Sequence, residues 1–226
     1  MGKMAGSSMA NEKIGEESAV AGSAAAEGTT AGKARLGSVM SESTADKSGC
    51  RLCPRMCGAD RITSFGVCGV GRKAVVARAG LHMWEEPCIS GTNGSGTVFF
   101  SGCSLGCVYC QNRDISRGGF GREVSTERLR EIFLELVEKG AHNIILVTPG
   151  HFVPEIIRAL GKGVGVPVVY NTGGYERVQT VRALSGRVQI YLADLKYARP
   201  ELGEKYSDAR DYSDVAKSAL LEMFRQ

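Results

Sequence analysis

No stretch of the 226-residue chain approaches the roughly 18 consecutive apolar residues of a membrane-spanning helix, which excludes a helical membrane protein. Charge of one sign is also missing. The 28 Lys and Arg against 24 Asp and Glu leave a net charge of +4, and the basic residues are scattered, so the footprint of a nucleic-acid partner is absent. The N-terminus lacks the apolar core of a secretory signal, and eight cysteines in 226 residues fall well under the roughly 8–10% of small disulfide scaffolds. Disulfides are therefore a poor explanation for those cysteines, and a cytoplasmic protein is expected.

Residues 1–49 have no aromatic residue at all and only Ile14, Val20, Leu36 and Val39 as branched aliphatics, among 10 Ala, 8 Gly and 8 Ser. Such a segment cannot bury enough apolar surface to offset an ordering cost of about 1–2 kcal/mol per residue, so a disordered tail is expected. Glu12, Glu16, Glu17, Glu27, Glu42 and Asp46 argue against a transit peptide, and Gly6 stands where a myristoylation signal wants Ser or Thr. Function is expected in the remainder of the chain, which divides into a Cys-rich lead-in over 50–95 and a main domain over 96–226.

In the main domain the hydrophobic period alternates. Thr97 to Phe100 reads as a strand. Leu129, Ile132, Phe133, Leu136 and Val137 then form the stripe of a one-face-buried helix, with Ser125 as N-cap, Glu127 in the first turn and Gly140 beyond its end. Further strands are expected over Asn143–Val147, Val166–Tyr170 and Val188–Leu192. Further helices are expected over Val153–Leu160, with Pro154 in the first turn, Glu176–Leu184 and Tyr212–Arg225. About four βα units in succession demand an α/β fold with a parallel sheet; a barrel and a doubly wound open sheet both fit.

Seven of the eight cysteines fall in two groups with metal-ligand spacing. Cys50, Cys53, Cys57 and Cys68 supply four thiolates, enough for a closed site holding zinc or an Fe–S cluster. Cys103, Cys107 and Cys110 follow the first expected strand. A CxxxCxxC loop can wrap three thiolates around one face of a cubane and leave a fourth iron open, whereas structural zinc wants four protein ligands. Three buried structural thiols are the alternative. Cys88 is left over, either simply buried or with a ligand or redox role.

The segment Cys103-Ser104-Leu105-Gly106-Cys107-Val108-Tyr109-Cys110, placed after a strand of a βα series, resembles the signature of radical S-adenosylmethionine (SAM) enzymes. The likeness extends to Glu85-Glu86-Pro87-Cys88-Ile89-Ser90-Gly91, Phe100-Ser101-Gly102, Gln111-Asn112, His142-Asn143-Ile144, Val147-Thr148-Pro149, Tyr170-Asn171-Thr172-Gly173-Gly174-Tyr175-Glu176 and Asp194-Leu195-Lys196-Tyr197. Over residues 50–226 the chain is similar to Fe–S proteins of the pyruvate formate-lyase activating enzyme-like branch. This resemblance implies a partial (βα) barrel. It also implies about two further βα units beyond Gln226, so the chain reads as truncated, with strand four left as an unpaired apolar edge.

The resemblance further implies that Cys103, Cys107 and Cys110 hold a [4Fe-4S] cluster whose open iron binds SAM. An electron from a flavodoxin- or ferredoxin-type donor then cleaves SAM to a 5′-deoxyadenosyl radical that abstracts hydrogen from the substrate, in activating enzymes a glycine of a partner protein. Tyr109 is expected near the adenine. Thr148 stands where the superfamily often has a Gly-Gly-Glu motif and offers a hydroxyl or carbonyl to SAM; the Glu is absent. His151 reads as a proton donor or substrate ligand, or else as a solvated loop residue. Asn171 and Thr172 are expected to line the cofactor, Asn171 where related enzymes carry an acid. Asp194 and Lys196 resemble an Asp-x-Lys in which Lys contacts SAM and Asp a cation or the substrate, against the alternative of a structural ion pair. A non-catalytic Fe–S or zinc protein is the competing reading of the whole chain.

Overall fold

The computed structural model describes residues 49–226, so the expected tail lies outside the described residues apart from Gly49. Six strands form one mixed sheet: β1 (Ala74–His82), β2 (Ser95–Phe100), β3 (Arg122–Val124), β4 (Ile144–Val147), β5 (Val168–Thr172) and β6 (Ile190–Ala193), in the order β3-β1-β2-β4-β5-β6. Strands β2, β4, β5 and β6 pair in parallel, and β1 runs antiparallel to both β2 and β3. The helices are α1 (Pro87–Ser90), α2 (Arg113–Ser116), α3 (Thr126–Glu138), α4 (Val153–Leu160), α5 (Val178–Arg182), α6 (Pro200–Ser207) and α7 (Tyr212–Phe224). The four parallel strands and their crossovers make a partial (βα) barrel, as expected.

The helix stripe read from the sequence is the core. Leu129, Ile132, Phe133 and Leu136 of α3 are buried and pack with Ile156 and Leu160 of α4 against alternate residues of the parallel strands: Val98, Phe100, Ile144, Leu146, Val168 and Tyr170. Each large apolar side chain so buried contributes about 1.5–3 kcal/mol. Strand β4 has no polar residue, in keeping with burial on both faces. The Ser125 hydroxyl caps α3 by accepting the Arg128 amide at 3.1 Å. A second apolar cluster, Leu105, Tyr175, Tyr197, Ala209, Tyr212 and Ala216, joins the loop after β2 to α6 and α7.

Five of these strands and helices lie outside the expected series: β1, β3, α6 and the single-turn helices α1 and α2. Strand β1 is bulged between Val76 and Arg78, and its burial does not alternate: Val75, Val76 and Ala77 are all half-buried and Arg78 and Ala79 both exposed, so its apolar period is blurred. Strand β3 is three residues long. Helix α6 carries Gly203 at its centre, where a Cβ would collide with the Ala209 carbonyl oxygen: the helix is held by close packing against the following turn, not by an apolar stripe. Among the described residues strand β6 pairs with β5 alone, and Leu221 and Phe224 of α7 stay exposed. Among the described residues no helix is long and apolar enough to cross a membrane.

Candidate active site

Because β2, β4, β5 and β6 are parallel, the segments that follow them share one rim. The loop after β2 carries the cysteine triplet, Thr148 follows β4, Asn171 and Thr172 end β5, and Asp194 and Lys196 follow β6. The triplet loop is fixed by backbone bonds. The Gly102 amide donates to Ile115 (3.0 Å), Cys103 to Cys68 (3.2 Å), Val108 to Tyr206 (2.9 Å) and Cys110 to Cys107 (3.1 Å). Gly102 has φ +81°, and a Cβ there would lie 2.6 Å from the Cys68 carbonyl oxygen, so only glycine allows the approach. Leu105 seats the loop in the tyrosine cluster, and the Gly106 amide points at the Cys103 sulfur at 3.4 Å. Burial pushes the Cys103 thiol up, and Cys107 and Cys110 are its charge neighbours.

Lys196 and Asp194 face this loop as an ion pair of 2.7 Å. Partial burial works against the Lys196 ammonium, but the bond to Asp194 and the nearness of Cys107 and Tyr109 outweigh it and raise its pKa. The Tyr212 hydroxyl accepts the Lys196 amide (2.8 Å) and donates to the Gly173 carbonyl (2.7 Å), which ties the ends of β5 and β6 together. Tyr109 is half exposed and donates its hydroxyl to Tyr197 at 2.7 Å. Thr148 holds φ +55°, a strained conformation for a β-branched residue, while its amide donates to Asn171 at 2.9 Å.

Two expected site residues turn away from the triplet. The Thr172 hydroxyl is buried, donating to Glu176 at 2.7 Å and accepting the Gly174 amide at 3.2 Å. His151 is enclosed instead of solvated: its Nε2 lies 2.8 Å from the Ser101 carbonyl oxygen and its ring packs 4.3 Å from that of Phe152. Burial, aided by Arg61, pushes His151 down to about 4, so the ring is neutral with the Nε2 proton donated to Ser101. Cys88 sits exposed on α1, near the opposite ends of β2 and β4, where Asn143 donates to the Ile89 carbonyl.

The four-cysteine lead-in folds back on itself, with the Cys50 amide on Ala59, Gly58 on Cys50 and Arg72 on Arg61. Cys53 and Cys68 are buried, and burial pushes the Cys53 thiol up to about 11. Cys57 lies below the usual thiol value, because backbone amides, including those of Ala59 and Val67, outweigh its partial burial. Cys50 and Cys68 are both charge neighbours of Cys53, and Cys50 and Cys57 of Cys68. Among the described residues, no three His, Cys, Asp or Glu side chains already close around one point.

The residues that dock the lead-in onto the rim were not singled out in the sequence. Arg55, inside the Cys53–Cys57 spacing, donates Nε to the Ser104 carbonyl (2.9 Å), Nη2 to Ser207 (2.6 Å) and Nη1 to Asp208, and stacks over Tyr175. Thr180 and Arg177 donate to the carbonyls of Leu52 and Arg51. Charge-assisted bonds of this kind contribute about 1.5–3 kcal/mol each when buried, less where water reaches them. Arg55→Ala is expected to lower unfolding free energy by about 3 kcal/mol in a denaturant titration; a loss under about 1 kcal/mol would show that Arg55 does not clamp the triplet loop.

Glu176 is the other omission. Its Oε1 accepts from Thr172, while Oε2 is buried without a partner against Gly150, where a Cβ would collide with it, and the Tyr170 hydroxyl beside it also lacks a regular bond. Burial raises this carboxyl from 4.5 to about 7. The folded state therefore keeps a proton that the unfolded chain releases, so the contribution is full below about pH 4.5 and is lost as pH rises to about 7, an effect of about 3 kcal/mol. His151 runs the other way: its depressed pKa makes stability fall as pH drops from 6.5 to about 4. Glu176→Gln keeps an acceptor for Thr172 and carries no charge. It is expected to raise the melting temperature at pH 8 by about 5 °C and to change little at pH 5; equal shifts at both pH values would disprove the buried-carboxyl account.

Fold and rim together define a partial (βα) barrel protein that presents three thiols at the ends of parallel strands. Residues 97–219, more than half of the chain, match the radical SAM superfamily model, and the chain belongs to that superfamily. It is also 29% identical over 177 residues to an uncharacterized protein of Methanocaldococcus jannaschii, a match covering 74% of this chain and 51% of the relative. The chain thus spans about half the length of the curated relative it matches. Membership implies a [4Fe-4S] cluster and SAM. The triplet loop supplies the donor chemistry such a cluster takes: three thiols on one loop, a backbone amide aimed at the Cys103 sulfur, and glycines where a Cβ would close the loop. Among the described residues the three side chains do not yet converge on one point.

Proposed function

We propose that the protein is a radical SAM enzyme of the activating-enzyme-like branch, acting on a glycine of a partner protein. When bound, the cluster and SAM supply a 5′-deoxyadenosyl radical competent for hydrogen abstraction. In this reading Cys103, Cys107 and Cys110 hold the cluster, with Leu105 and Arg55 fixing the loop that carries them. Lys196, kept protonated by Asp194, faces the SAM carboxylate, and Tyr109 lies along the adenine. Thr148 and Asn171 line the adjoining strand ends. The Tyr175–Tyr197–Tyr212 cluster keeps water from the inner side of the loop. A second metal at Cys50, Cys53, Cys57 and Cys68 belongs to the same reading, as does a ferredoxin- or flavodoxin-type electron donor.

The observation that carries this proposal is the shared rim: the triplet lies beside the Asp194–Lys196 pair, with Lys196 a charge neighbour of Cys107. Anaerobic reconstitution, dithionite and SAM should yield 5′-deoxyadenosine and methionine. With a glycyl-radical protein as partner, an EPR-detectable backbone radical should follow. Absence of 5′-deoxyadenosine from a chain with its cluster intact would sink the enzyme reading. Its formation without any radical on the partner would remove the glycine and leave a small molecule as substrate.

A further inference from the structure

Helices cover one face of the sheet. α3 and α4 pack against Val98, Phe100, Ile144, Leu146, Val168 and Tyr170, and α5 and α7 against Tyr191 and Ala193. The residues between these point to the opposite face, since side chains alternate along a strand. Register lines up five of them in one row: Arg78 on β1, Phe99 on β2, Val147 on β4, Asn171 on β5 and Leu192 on β6. In β2 and β4 this row comes at the end that leads into the triplet loop and Thr148. The next row down holds Thr97, Ile145 and Val169, all buried, so the face is sealed below. Phe99, Val147, Asn171 and Leu192 are half-buried and Arg78 is exposed, so the upper row is open to a ligand.

Arg78 is the only charged residue of that row. Its guanidinium lies over the Phe99 ring, 5.7 Å from the centroid. Such a cation–π contact holds the planar group in place and leaves its N–H edges free for a bidentate partner. None of the ion pairs among the described residues includes Arg78. The acid at the β6 end of the face is engaged already, because Asp194 holds Lys196 at 2.7 Å. The lysine stem covers the end of β5, where a Cβ on Gly173 would stand 3.0 Å from its Cε. Strands β1 and β5 are three spacings apart, roughly 14 Å along the sheet, which leaves room for a ligand between Arg78 and Lys196. The β1 side of the face therefore carries a fixed positive charge with nothing to balance it. One guanidinium answers one negative charge, and its fork matches a carboxylate.

We infer that the substrate carries a carboxylate and that Arg78 binds it, setting the substrate against Phe99 at the height of the triplet loop. The inference rests on the reading of the rim as a radical SAM active site and adds the chemistry of what enters it. The carboxylate belongs either to an acidic side chain beside the target glycine of a partner protein or to a small molecule. Both present the same group to Arg78.

The test uses the full chain with its cluster reconstituted anaerobically and SAM present, and reads binding by calorimetric titration, with no turnover required. Two pairs of probes separate the sources. A glycine peptide flanked by glutamate is compared with the same peptide flanked by glutamine, and glutarate with glutaramide. In at least one pair the carboxylate should bind about tenfold more tightly than its amide, as expected for one charge-assisted pair. In Arg78→Gln that ratio should fall to about one. Arg78→Lys, which keeps the charge and loses the fork, should restore part of it. SAM affinity should be the same in all three chains. Absence of any carboxylate preference in the wild type overturns the inference. So does a preference that survives in Arg78→Gln, which would leave Arg78 as a charge guarding the stretch of β1 that β3 does not cover. A tenfold loss of SAM affinity in Arg78→Gln would assign the residue to the cofactor and overturn it as well. Failure of the enzyme reading would look different: no 5′-deoxyadenosine from a wild-type chain that still prefers the carboxylate.

Discussion

Cys103→Ala is expected to abolish 5′-deoxyadenosine formation, a loss of roughly a thousandfold or more, because a cubane left with two thiolates is not retained. Of the three, Cys103 is the best choice for the test. Its amide is already held by Cys68 and its side chain packs beside Leu105 against the tyrosine cluster, so the loop keeps its anchors when the sulfur goes. The lost packing should cost about 1 kcal/mol, little enough for the chain to fold. Iron and sulfide per chain, read beside the turnover assay, give the outcome. Iron content equal to wild type would place the catalytic cluster elsewhere.

Gly174→Ala is expected to damage the rim strongly. Gly174 has φ +78°, and a Cβ there would come within 2.6 Å of the Asp194 carbonyl oxygen and 3.3 Å of the Tyr212 hydroxyl. Backbone cannot yield as the tip of a side chain does, so the strands must part where Asp194 and Lys196 are presented. A cost of about 2–4 kcal/mol is expected, from strain at positive φ together with overpacking. Thermal melting should fall by about 5–10 °C, and SAM affinity should drop with it. A variant that melts like wild type would show that the ends of β5 and β6 are not held as tightly as this contact implies.

The parallel half of the fold was legible because its signals are repetitive. The stripe from Leu129 to Leu136 and the short runs at Thr97–Phe100 and Ile144–Val147 each encode burial on a known face. Strand ends were less so. β5 closes at Thr172, two residues beyond the expected Tyr170, because it pairs with β6 through Thr172 opposite Ala193, a tertiary fact without local trace. The triplet stood out for a different reason: its CxxxCxxC spacing is a local pattern that one dimension records in full. Arg55, Arg61 and Glu176 act over sequence separations such as Arg55 to Ser207 or Arg61 to His151, and no periodicity records them. His151 shows the converse, a polar residue at a strand end that looked chemical and is enclosed by packing.

The hydrogen bond between Cys68 and Cys103 also has a consequence for how the molecule opens. Ahead of β1, the Cys50–Arg72 segment joins the barrel through long-range bonds from Arg55, Arg61, Arg177, Thr180 and Cys103 and through Cys68 and Val70 in the main apolar cluster, while its own turns are closed locally. Such a segment peels as one unit at less than the global unfolding free energy. In hydrogen exchange, the Cys103 amide should therefore share its protection with Cys50 and Arg72 and not with the deeply held amides of β4. Each such opening would uncover the triplet loop, so the lifetime of the cluster in air would be set by how often the lead-in lifts away, well before the barrel itself unfolds.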